Sequence, residues 1–165
     1  LTTSPNDLLY LTGLFNSVVF DFILKKKLSG IDLTQSVIKQ VPVPNTEEIR
    51  KEISFNGLTA PIKDHISILV SVLLKNDVRL TSLFENLELL ATRKSENKFA
   101  IIRKIDLLFM VLYNIDNPEV ELVLTEFGKQ YVKEDLIWFT NELNRIRLNE
   151  TICSTGSLVP HFTPD

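Results

Sequence analysis

The chain has 165 residues, 44% of them apolar, which is enough to bury one core and gives no sign of two. Its formal net charge of -3 and pI near 5.5 exclude a module that wraps nucleic acid with its whole surface, so any such contact has to come from a local basic patch. Its single cysteine, Cys153, excludes an internal disulfide, and no apolar run reaches the roughly 18 residues of a membrane span.

Ser4 reads as the cap of a helix with Pro5 in first position and Asp7 in the first turn. Leu8, Leu11, Phe15, Val18, Val19 and Phe22 recur at three- and four-residue steps, predicting one long helix with a continuous buried face. Lys25, Lys26 and Lys27 fall in its last turn, where cations meet the negative end of the helix dipole, and Gly30 supplies the stop. Ile31, Leu33, Val37, Ile38 and Val41 are β-prone, and Pro42-Val43-Pro44 forces an extended exit, so one short β or extended segment is expected near residues 31–43.

Thr46 then caps a short helix predicted over 47–55 and ended by Gly57, and Pro61 opens another with Ile62, Ile66, Leu69, Val70, Leu73 and Leu74 as its buried stripe. Asn76-Asp77 breaks that helix; Thr81 caps the next, with Leu83, Phe84, Leu87 and Leu90 inward. The polar run 91–98 reads as an exposed loop. Phe99, Ile102, Ile105, Leu108, Phe109 and Leu112 carry the strongest helical period of the second half. Asn117-Pro118-Glu119 supplies cap, first turn and acidic start of a helix ended by Gly128. A last helix over 133–148 buries Leu136, Phe139, Leu143 and Ile146, and the tail from Asn149, with Gly156, Pro160 and Pro164, is expected to be irregular. The fold class is mainly α: a helical bundle forming a single domain over 1–148, followed by an irregular tail over 149–165.

Catalytic constellations are scarce. His65 and His161 lie far apart and Cys153 belongs to no ligand spacing, so no zinc site is expected; His65 reads as an ordinary, partly exposed residue. Asp77 with Glu96-x-Lys98 fits a loose nuclease pattern that a chain rich in charge produces by chance. Asp106 reads as a solvent-facing or cap-bonding carboxylate, because its neighbours carry the core period. The best candidates for contacting DNA are Lys25, Lys26, Lys27, Ser29, Gly30, Asp32, Thr34, Gln35 and Lys39: lysines and turn amides bind phosphates, and Asp, Thr and Gln side chains read base edges. The bland alternative is that three lysines complement a helix C-terminus with or without DNA.

Three stretches, Leu-Leu-Tyr-Leu-Thr-Gly-Leu-Phe-Asn-Ser at 8–17, Lys-Lys-Leu-Ser-Gly at 26–30 and Val-Ile-Lys-Gln-Val-Pro-Val-Pro at 37–44, resemble the C-terminal end of the specificity domain of N6-adenine DNA methyltransferases, in particular long type II restriction-modification proteins. Downstream, residues 103–108, 111–113 and 123–127 resemble that family's closing helices. The chain departs from the family pattern at Phe15, where leucine is usual, and at Asn114, where glycine usually follows the tyrosine. The resemblance implies a target-recognition part, with 1–44 ending the specificity region and 45–148 supporting it. Its implied partners are double-stranded DNA, reached through the parent protein, and a catalytic methyltransferase domain.

The family's (Asn/Asp)-Pro-Pro-(Tyr/Phe) motif and its glycine-containing cofactor loop are not in this sequence, and Asn117-Pro118 is followed by Glu119-Val120. No catalytic or cofactor-binding residue is therefore assigned here, and S-adenosylmethionine is expected in the parent protein. Leu1 is no initiator and stands just ahead of a helix cap, so the chain reads as a piece of a larger polypeptide. It shows no export leader, and a cytoplasmic location is expected. The rival expectation is a helical protein–protein interaction module without nucleic-acid binding, drawn from the acidic balance and the amphipathic helices.

Overall fold

The computed structural model describes residues 4–28, 32–80 and 97–155, with side chains to residue 149. Helix α1 (Pro5–Phe15) starts as its sequence dictates. Ser4 and Asp7 form a reciprocal capping box, and Pro5 sits where no amide is needed. The expected single long helix is two: α1 gives way at Asn16-Ser17 to α2 (Val18–Lys27), and the pair is bent by 58°. The cause is local, because the Ser17 side chain accepts the Phe20 amide and caps a new helix.

The break also turns the predicted face. In α1 the buried residues are Leu9, Tyr10, Gly13 and Leu14, whereas Leu8, Leu11 and Phe15, expected inside, are 46%, 37% and 54% exposed. Helix α2 ends at Lys27 with Leu28 extended; Gly30, the predicted stop, and Ile31 lie outside the described residues.

No strand occurs among the described residues of 31–43. The β propensity there is overridden by α3 (Gln35–Ile38), which Thr34 caps by accepting the Val37 amide, and residues 32–34 and 42–45 on either side of it carry no regular structure. Asn45, rather than Thr46, caps α4 (Thr46–Arg50) in a box with Glu48. The expected helix over 47–55 stops at Arg50, and the chain enters a hairpin of β1 (Glu52–Phe55) and β2 (Leu58–Pro61), paired antiparallel with Ile53 opposite Ala60. Its Asn56-Gly57 turn holds φ of 53° and 77°, the left-handed pair that an Asn-Gly loop adopts.

Helix α5 (Ile62–Leu74) follows Pro61 as expected and buries Ile62, Ile66, Leu69 and Val70, with Leu73 and Leu74 half-buried. The predicted helix after Thr81, with Leu83, Phe84, Leu87 and Leu90, and residues 91–96 of the polar run lie outside the described residues. The described end of that run is not loop, since Asn97 caps α6 (Lys98–Leu112). Asp116 caps α7 (Asn117–Glu126), one residue before the predicted cap, with Pro118 and Glu119 in its first turn. Helix α8 (Lys133–Thr155) runs past the predicted end at 148, so residues 149–155 are helical where an irregular tail was expected; residues 156–165 lie outside the described residues.

The core lies where α5 and α6 cross. Leu107, Leu108, Phe109 and Met110 of α6 are fully buried, α1 packs on α5, and α8 covers both α6 and β1. Gly13 lets α1 approach closely: a Cβ there meets Ile66 Cγ2 at 2.9 Å and Val70 Cγ2 at 3.1 Å. Ser67 Oγ, fully buried, lies within hydrogen-bonding distance of the carbonyls of Asn6 (3.0 Å) and Lys63 (2.9 Å), joining the same two helices. Among the described residues, no single helix is long and apolar enough to cross a membrane; the bent α1–α2 pair meets that test only by combined length and composition.

Candidate nucleic-acid interface

The basic end of α2 forms because three lysines close a helix whose dipole favours them there. Two of the three are engaged. Lys25 Nζ pairs with Asp21 at 3.0 Å and stands 4.1 Å above the ring of Phe127. Lys26 Nζ donates to Glu126 Oε1 at 2.7 Å, near the ring of Phe22, and this cation holds the Glu126 carboxyl below its ordinary range. Lys27 is exposed and, among the described residues, has no ion-pair partner.

These contacts carry α2 onto the end of α7 across 100 positions of sequence. Both members of the Lys26–Glu126 pair are about half exposed, so the pair fixes position more than it stabilises. Neither Glu126 nor Phe127 could be named as a lysine partner from spacing, because nothing local links residues so far apart.

Of the other candidates, Ser29 and Gly30 lie outside the described residues. Asp32 is exposed. Thr34 caps α3, and Gln35 and Lys39 are exposed at the two ends of that short helix, which packs against α2. The exposed polar residues of α3 thus stand on a helix packed against the one that ends in the three lysines. They offer point charges and amide groups suited to phosphate oxygens and no enclosed pocket.

Three other expectations are corrected or placed. Asp106 is 1% exposed, not solvent-facing; it bonds a helix start, its Oδ1 accepting the Val18 amide at 2.9 Å while Oδ2 accepts the Tyr131 hydroxyl. His65 is 2% exposed rather than partly exposed, with Nε2 3.2 Å from the Ile53 carbonyl and the Phe55 ring edge-on at 5.8 Å. The hairpin was not predicted, and it is what buries that imidazole. Asp77 pairs with its neighbour Arg79 at 2.6 Å, while Glu96 lies outside the described residues. Among the described residues, no group of three or more His, Cys, Asp or Glu is placed to hold a metal ion.

A cleft of about 390 Å³ opens between α1, α5 and α6, lined by Gly13, Asn16, Val70, Leu74, Lys98 and Asp106 among others. Neither the lysines of α2 nor the described candidates at 32–39 line it. Comparison of the chain with protein-family models, with curated proteins and with solved structures finds no match.

Proposed function

We propose that this chain is the helical C-terminal part of a DNA target-recognition region in an N6-adenine methyltransferase of a restriction-modification or phage-defence system. In this reading it braces the recognition surface and adds weak phosphate contacts of its own. The parent protein transfers a methyl group from S-adenosylmethionine to adenine, and the catalytic domain and cofactor site lie outside this chain.

The observation that carries the reading is that the separated stretches of the resemblance meet in space. Lys26 of the second stretch pairs with Glu126 of the last, Lys25 just before it stands over the ring of Phe127, and the Tyr113 hydroxyl donates to the Pro42 carbonyl of the third at 2.8 Å. The departure at Asn114 is also accommodated. Its φ is 52°, in the left-handed region that glycine occupies freely and asparagine tolerates. Because Lys25 and Lys26 are engaged by the protein, bracing is the principal role and phosphate contact falls to Lys27 and Lys39.

The experiment is titration of a duplex DNA with the chain at rising salt. Binding at low ionic strength that weakens as salt is added supports the proposal, because phosphate contacts release counterions. A second reading, a helical interaction module without nucleic-acid binding, is favoured by the exposed stripe Leu8, Leu11 and Phe15 on α1. No binding at low salt selects it.

A further inference from the structure

Asp106 takes no part in the proposed function, yet it occupies the junction of three elements. The Val18 amide it accepts is the first of α2, one of the N–H groups a helix cannot satisfy from within. A residue 88 positions away therefore completes the start of that helix. Tyr131, 4% exposed, stands in the chain between α7 and α8, just after Glu126 and Phe127, which hold Lys26 and Lys25. One carboxyl thus secures the near end of α2 and the segment that follows the clasp on its far end.

Among the described residues, most charged groups of the surrounding elements are engaged elsewhere or stand at the surface. Within α6, Arg103 pairs with Asp135 of α8 at 2.5 Å, Lys98 is exposed on the rim of the cleft, and Lys104 is two positions from Asp106 and so projects from another face. From α5, Lys63 pairs with Asp7, Asp64 accepts from Asn6, and His65 lies against Ile53. From α2, Asp21 and Lys25 pair with each other, and in the connection between α7 and α8 Lys129 is exposed.

We propose that Asp106 is a proton-operated anchor, whose change of charge alters how firmly the first turn of α2 is held to the core. Burial is the largest influence and pushes the Asp106 carboxyl up to about 7, against the opposing pull of the Tyr131 hydroxyl and the Val18 amide; among the described residues no charged neighbour enters the balance. Folding therefore takes up a proton at this site. The stabilisation is complete below the ordinary value of 3.8 and is lost as pH rises through about 7. Above that pH the carboxylate accepts charge-assisted bonds from both donors, but as an uncompensated buried anion.

The test is a pH titration of the 165-residue chain by nuclear magnetic resonance, following the Asp106 carboxyl carbon and the Val18 amide. Both are expected to move together with a midpoint above about 6, well beyond ordinary aspartate. Asp106→Asn abolishes the Val18 movement. Tyr131→Phe, which removes a donor to the carboxylate, moves the midpoint higher, and this variant decides the matter should the asparagine variant not fold. An Asp106 midpoint below about 5, a Val18 shift that persists in Asp106→Asn, or a midpoint unmoved by Tyr131→Phe overturns the proposal.

Discussion

Gly13 is the residue on which the α1–α5 contact depends, because its missing Cβ lets Ile66 and Val70 reach the helix backbone. Gly13→Ala is expected to destabilise the fold by about 1–3 kcal/mol through overpacking, despite alanine's better helix propensity; chemical denaturation read by Trp138 fluorescence measures it. An unchanged or higher stability contradicts the packing described. The partly buried Arg103 is held from two sides, by Asp135 at 2.5 Å and by the Trp138 ring 4.2 Å from its guanidinium carbon. Arg103→Met leaves the 5%-exposed Asp135 carboxylate short of a partner and is expected to cost about 3 kcal/mol, read in the same assay. Such residues were the least legible in the sequence. Asp106 and His65 sit in periodic apolar helices, and their burial is decided by Tyr131 and by the hairpin, partners that no local pattern identifies.

Elements were legible where their own ends carry the signal. Pro5 after Ser4, and the Asn76-Asp77 break after α5, are read directly from side-chain chemistry, and the structure keeps them. The division of α1 from α2 was hidden because Val18, Val19 and Phe22 continue the apolar spacing through Asn16-Ser17, while Ser17 holds the competing cap. The hairpin was missed for a different reason: Asn56-Gly57 is a turn signal, but the strands on either side are only four residues each and the cap before them suggested helix. Gly57→Ala, forced to φ of 77°, is expected to cost about 1–2 kcal/mol. Asn114 offers a sharper comparison, since its φ is 52°. Asn114→Gly is expected to be tolerated and Asn114→Val to cost about 1–2 kcal/mol; equal stabilities for the two variants contradict the left-handed turn after α6.

For the molecule as a whole, two carboxyls bend the stability profile in opposite directions. The Lys63 ammonium and the Ser4 hydroxyl beside Asp7 hold its carboxyl down to about 2, so its stabilisation is present above the ordinary 3.8 and is lost as pH falls towards 2. Asp106 acts on the other side, through about 7. Thermal unfolding followed across pH is therefore expected to show a maximum in mild acid, and Asp106→Asn to remove the decline on the neutral side. The helical class was legible at this scale because caps and periods repeat along the chain, whereas the meeting of α2 with α7 was not, since it rests on pairs 100 positions apart. In the function proposed for it, this helical unit serves DNA recognition, with Lys27 and Lys39 left to meet phosphate while Lys26 is held by Glu126. Its most direct test is the slope of log affinity against log salt for duplex DNA, compared between the wild-type chain, Lys26→Ala and the Lys27→Ala/Lys39→Ala pair. A negative slope is expected, flattened by about 2 in the double variant and left nearly intact by Lys26→Ala; an absence of salt-dependent binding in the wild-type chain overturns the proposed DNA recognition.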